Sequence, residues 1–144
     1  MIRLENKMLL SWDDVVNVTD KIAEQINNLD KKPLYLYGIP RGGLIPATLL
    51  SHKTGIKYQQ ILSIYSNSSL KDFSDVLIVD DICDSGKTLE SILKTYPKCQ
   101  TASLYYKEKA SIKPNIYGEL VGDEWIVFPW ELHDAPTARD KTEF

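Results

Sequence analysis

At 144 residues, with 43% apolar and 26% charged side chains, the chain has the size and make-up of one globular domain with a real core. No apolar run approaches the ~20 residues of a membrane span, and a net charge of −3 argues against nonspecific nucleic-acid binding, which needs a strong positive field. Cys83 and Cys99 lack C-x-x-C spacing, His52 and His133 stand too far apart for a zinc site, and the opening MIRLENKMLLSWDD lacks the basic-then-apolar layout of a secretory signal, so buried thiols and a cytoplasmic location are expected.

Ser11 and Asp14 have the spacing of a capping box. Val15, Val18, Ile22, Ile26 and Leu29 then recur at helical spacing and predict an amphipathic helix of about five turns. A strand over 34–37 leads into Gly38-Ile39-Pro40-Arg41-Gly42-Gly43 and an apolar helix over 43–53, closed by Gly55. Strands over 57–65 and 76–80, a helix over 86–95 and a strand over 101–106 follow. That alternation predicts an α/β fold, a mostly parallel twisted sheet flanked by helices with right-handed crossovers. One domain over 1–144 is expected, with a core of about 11–106 and a small cap built from about 1–10 and 107–144, the latter richer in turns and aromatics.

Residues 76–88, VLIVDDICDSGKT, carry the most chemical information. Val76, Leu77, Ile78 and Val79 read as a strand buried on both faces, and the carboxyl ends of such strands are where open α/β sheets bind ligands. Asp84, Ser85, Gly86 and Thr88 then supply short side chains, hydroxyl donors and backbone N–H groups at a helix start, which suits an anion. Asp80 and Asp81 would repel a phosphate. They make sense if the ligand also offers hydroxyls or a metal ion, as a phosphorylated ribose with Mg²⁺ does. Gly86-Lys87-Thr88 imitates the end of a P-loop, but its first glycine would fall at Asp81; no two glycines are spaced i, i+2, so a dinucleotide fingerprint fails as well. The bland alternative is a buried strand with an acidic turn.

This stretch resembles the phosphoribosyl pyrophosphate (PRPP) motif of the type I phosphoribosyltransferases: a hydrophobic strand, two acids, two variable residues, then D-[ST]-G-x-T. Gly38 to Gly43 resembles the family's pyrophosphate loop, in which Gly42 and Gly43 let amides approach an anion and Arg41 offers a permanently charged fork. The family often has a non-proline cis peptide there. Tyr96-Pro97-Lys98, Leu104 to Lys107, and Asp123-Glu124-Trp125-Ile126 through Pro129-Trp130-Glu131 follow the order of the 6-oxopurine branch, bacterial xanthine–guanine phosphoribosyltransferase among them.

The resemblance implies transfer of the 5-phosphoribosyl group from PRPP to guanine, xanthine or hypoxanthine in purine salvage, with Mg²⁺ as cofactor and a homodimer or homotetramer as the assembly. Asp80 and Asp81 would hold the ribose hydroxyls and help organise the Mg²⁺ complex. Arg41, Gly42 and Gly43 would grip the pyrophosphate; amides from Asp84 through Ser85, Gly86, Lys87 and Thr88 would hold the 5′-phosphate, the Lys87 side chain pointing to solvent. Asp84 would move the proton at the purine imidazole nitrogen; its alternative is to cap the following helix. Lys107 would donate to the 6-oxo group, its alternative being a solvated lysine beside Lys109. Trp125 would stack on the base, with the Ile126 backbone reading the 2-position; its alternative is core packing. In relatives a hood built from such segments covers the base, and the resemblance gives that role to the cap. Trp130, Glu131 and His133 receive no role.

One departure stands out. Only ten residues, 66–75, separate Tyr65 from Val76 where relatives carry a longer closing loop. A short lid excludes water less well. A competing reading is therefore a PRPP- or nucleotide-sensing regulator with little turnover, and a third is an interaction protein on a borrowed fold.

Overall fold

The capping box forms as expected. Ser11 Oγ accepts the Asp14 backbone N–H at 3.0 Å, and Asp14 Oδ2 accepts the Ser11 N–H at 2.8 Å. Helix α1 (Trp12–Asn27) follows in the computed structural model, which describes residues 1–60 and 73–131. Its buried stripe is Val15, Val18, Ile22 and Ile26, joined by Ala23 and Thr19. The Thr19 hydroxyl is satisfied within the helix, donating to the Val15 carbonyl at 2.6 Å. Leu29 packs against the same core from just beyond the helix end.

The main sheet holds five parallel strands in the order β4-β3-β5-β6-β7. They are β3 (Tyr35–Gly38), β4 (Lys57–Tyr58), β5 (Val76–Cys83), β6 (Gln100–Lys107) and β7 (Ile116–Val121), with α2 (Leu44–Thr54) after β3 and α3 (Lys87–Thr95) after β5. The chain steps from β3 to β4 on one side and takes β5, β6 and β7 on the other. The crevice at the carboxyl ends of β3 and β5 is thus the topological switch point, where open α/β sheets take ligands. Gly55 closes α2 in the left-handed conformation at φ 76°.

β5 is buried along its whole length, as a strand covered on both faces must be. Leu77 and Val79 join the core formed with α1 and α2, while Val76 and Ile78 join the one formed with Leu89 and Ile92 of α3. This alternation slips by one residue at the acids. Ile82 returns to the first core and Cys83 to the second, and the ladder with β6 pairs Asp80 with Ser103, then resumes at Ile82 with Tyr105. Cys83 and Cys99 are both buried, and burial pushes the Cys99 thiol up to about 11, in keeping with inert thiols.

A second, three-stranded sheet joins the chain's two ends. β1 (Ile2–Leu4) pairs antiparallel with β2 (Lys7–Leu9), and β2 pairs parallel with β8 (Trp125–Val127). Pro129–Glu131 forms a 3₁₀ turn after it.

Three boundaries differ from expectation. β5 runs on through Asp80 and Asp81 to Cys83 rather than ending at residue 80. β7 belongs to the main sheet, so the cap does not begin at 107; the second sheet takes only 125–127 from that side. The strand expected over 57–65 covers Lys57–Tyr58, and 61–65 lie outside the described residues. So do most of the short 66–75 loop, His133 and the rest of the expected cap.

Candidate active site

The acids of β5 open into a cleft of about 200 Å³ lined by Asp80, Asp81, Asp84, Ser85, Gly86 and Thr88, together with Ile82, Cys83, Leu89, Trp125 and Glu131. Asp80 and Asp81 are almost fully buried, at 3% and 1% exposed. Burying a carboxylate demands hydrogen-bond donors. The backbone supplies them: the Asp81 N–H donates to Asp80 Oδ1 and the Ile82 N–H to Asp81 Oδ1, both at 2.8 Å. These bonds sit where the face alternation of β5 slips and the pairing of Asp81 with β6 is skipped.

The turn after β5 leads directly into α3. Gly86 is the N-cap of α3 at φ 90°, a left-handed conformation that disfavours any other residue, and it provides no side-chain cap. A Cβ there would also come within 2.7 Å of Ser111 Oγ. The Lys87 N–H donates to Ser85 Oγ at 3.3 Å, and the Lys87 side chain is exposed as expected. The expected alternative for Asp84, capping α3, is not what forms. Its carboxylate instead faces lysines.

Lys107, at the end of β6, is 2% exposed, which overturns its reading as a solvated surface lysine. Its ammonium lies 3.6 Å from Asp84 Oδ1, an arrangement that compensates a buried charge. It is not among the residues lining the cleft, and approaches it through Asp84. Trp125 is 45% exposed and lines the cleft, so it is no core residue, whereas its neighbour Ile126 is 1% exposed. The Trp125 backbone is fixed by β2 and by its own N–H donating to the Asn6 carbonyl at 2.7 Å.

The Gly38–Gly43 loop meets this cleft from the β3 side. The Ile39 N–H donates to the Val79 carbonyl at 2.9 Å, and the Pro40–Arg41 peptide is cis, the feature the family resemblance implies. Gly42 abuts Asp81: a Cβ at position 42 would collide with the Asp81 carboxylate. Arg41 is exposed, and neither it nor Gly42 and Gly43 lines the cleft itself.

Sequence reasoning missed three residues here. Glu131 lines the cleft, its carboxylate accepting the Phe128 N–H at 3.0 Å. Lys109 Nζ lies 3.7 Å from Asp84 Oδ1. Ser111 packs on the phosphate-type turn, its N–H and hydroxyl both donating to the Ser85 carbonyl at 2.9 and 3.0 Å. The only advance signal was the pair of lysines two apart directly after a strand.

Comparison with known proteins agrees with this geometry. Residues 5–137 match the family model of the phosphoribosyl transferase domain. A xanthine-guanine phosphoribosyltransferase of Cereibacter sphaeroides is 34% identical over 143 residues, covering 85% of this chain and 86% of that protein. The crystal structure of a purine phosphoribosyltransferase from Pyrococcus horikoshii superposes with a TM-score of 0.71 at 29% identity, covering 90% of this chain and 97% of that one. A Neisseria gonorrhoeae protein solved with bound ppGpp superposes with a TM-score of 0.74 at 27% identity, covering 92% and 93%. A pair of buried acids within β5, the glycine turn after it and a match over nearly the whole chain lead to one assignment: the chain belongs to the phosphoribosyl transferase family.

Proposed function

We propose that the chain transfers the 5-phosphoribosyl group of PRPP to a 6-oxopurine and releases pyrophosphate. The observation that carries this reading is that Asp80, Asp81, Asp84, Ser85, Gly86, Thr88 and Trp125 line one cleft, with a buried lysine paired to Asp84 behind it. Amides at the start of α3, with Ser85 and Thr88, hold the 5′-phosphate, and Asp80 and Asp81 accept the ribose hydroxyls. Arg41 and the amides of Gly42 and Gly43 orient the pyrophosphate beside Asp81. Trp125 stacks on the base, and Asp84 takes the proton from its imidazole nitrogen as the new bond to C1 forms. Lys107 reaches the 6-oxo group.

The donor set fits Mg²⁺ of one kind. Among the described residues no group of three or more His, Cys, Asp or Glu could hold an ion unaided, while Mg²⁺ commonly takes one or two carboxylates plus substrate oxygens and water. Asp80 and Asp81 would hold a metal that arrives with PRPP, and when bound it neutralises charge on the departing pyrophosphate. No helix among the described residues is long and apolar enough to cross a membrane. A cytoplasmic location and a homodimer or homotetramer complete the proposal; light scattering tests the latter.

Incubation with PRPP, Mg²⁺ and a panel of purine and pyrimidine bases tests the reading. Nucleotide is expected from 6-oxopurines, and Asp84→Asn should lower the rate by about 10²–10⁴-fold while PRPP still binds. A second reading, a nucleotide-sensing regulator on the same fold, is favoured by the ppGpp bound in the Neisseria gonorrhoeae relative. Tight binding of PRPP or ppGpp without turnover on any base selects it. Absence of both binding and turnover sinks both.

A further inference from the structure

Asp84 faces two ammonium groups through one oxygen. Lys107 Nζ lies 3.6 Å from Oδ1 and Lys109 Nζ 3.7 Å, yet the two side chains differ sharply in exposure, 3% against 55%. Both sit on one turn, closed by the Ala110 N–H donating to the Lys107 carbonyl at 3.0 Å. That turn is pinned on each side. The Glu108 N–H donates to the Val121 carbonyl at 3.1 Å, and the Ser111 N–H to the Ser85 carbonyl, next to Asp84, at 2.9 Å. The backbone thus holds the roots of both lysines beside Asp84, while the Lys109 side chain itself stays half-exposed.

We propose that Lys109 is a positioning residue, which keeps a counter-charge on Asp84 while Lys107 turns to the carbonyl of the incoming base. The inference rests on the proposed roles of Asp84 and Lys107 in phosphoribosyl transfer. With one lysine alone, Lys107 would have to weaken its pairing with a partly buried carboxylate in order to meet a neutral carbonyl, and separating partly buried charges is costly. A second cation on the same oxygen lowers that cost. Being half-exposed, Lys109 can follow Asp84 or yield to water at little expense. At 3.7 Å it stands ready to stay with Asp84 when Lys107 turns away.

Steady-state kinetics on Lys109→Ala and Lys109→Arg, with base and PRPP varied separately, test this. In Lys109→Ala the KM for a 6-oxopurine should rise about threefold to tenfold, from the range spanned by exposed and partly buried pairs. The KM for PRPP and kcat should stay within about twofold, and Lys109→Arg should restore the base KM. The rise should shrink at high salt. An unchanged base KM in Lys109→Ala, or a PRPP KM rising in step with it, overturns the inference while leaving the enzyme reading intact. Should the wild type not turn over, calorimetry with guanosine monophosphate replaces KM: the same loss in Lys109→Ala supports the role, and equal affinity overturns it. A wild type that neither turns over nor binds that nucleotide removes the functional reading and this one together.

Discussion

Asp81 rests so close to the backbone of Gly42 that no side chain fits between them. Gly42→Ala must therefore push either the carboxylate or the pyrophosphate-type loop out of place, and overpacking of this kind costs typically about 1–3 kcal/mol. Kinetics should show the PRPP KM rising by more than the base KM, because the proposed function gives both displaced groups to PRPP. Equal effects, or none, would mean the Gly42–Asp81 contact has no part in binding. The acids, the glycine turn and Arg41 were all legible as residue types in a motif. Lys107 was legible as a candidate for the base, but its burial was not, because a lysine is buried only when something distant pairs with it, and Asp84 lies on another element. Lys109, half-exposed, escaped because nothing local marks its approach to Asp84.

At the scale of elements, periodicity was a good guide wherever apolar spacing alone decides. α1 starts at its capping box and buries the stripe read from its spacing. β5 extends past its apolar run because Ile82 and Cys83 pair with Tyr105 and Tyr106 of β6, while the buried Asp80 and Asp81 carboxylates accept amides of their own strand, which no propensity anticipates. β7 was overlooked because Gly118 and Glu119 interrupt IYGELV; Gly118 lies directly beneath Val18 of α1, and Glu119 pairs with Lys21 at 2.8 Å. The cap of α1 also makes stability depend on pH. The Met1 amine and then the Ser11 N–H, both bonded to Asp14, hold its carboxyl below the ordinary 3.8. A lowered folded pKa contributes stability that is present above the unfolded value and lost as pH falls through the folded one. Urea unfolding of wild type and Asp14→Asn should therefore differ most at neutral pH, with the gap narrowing below about pH 4. A gap that stays constant down to pH 3 would show that the carboxylate's charge contributes nothing.

For the whole molecule, the cleft is where the two sheets meet: the main sheet brings the acids and the phosphate-type turn, and the small sheet brings Trp125. That division gives an optical test, because the three tryptophans are not equivalent. Trp12 and Trp130 lie 5.8 Å apart, with Trp130 stacked on Phe128 at 4.7 Å, whereas Trp125 alone of the three lines the cleft. A purine nucleotide seated with its phosphate on the α3 turn and its base on Trp125 should change tryptophan emission. Trp125→Phe should abolish that change yet keep most of the affinity, since a phenyl ring still stacks. Trp125→Ala should weaken binding about fivefold or more, from the ~1–3 kcal/mol worth of base–aromatic stacking. Nucleotide at about a hundred times its Kd should also stabilise the fold by about 2.7 kcal/mol in a thermal melt. If Trp125→Phe retains the full emission change, or Trp125→Ala binds as tightly as wild type, the base does not lie against Trp125, and the small sheet has no share in recognition.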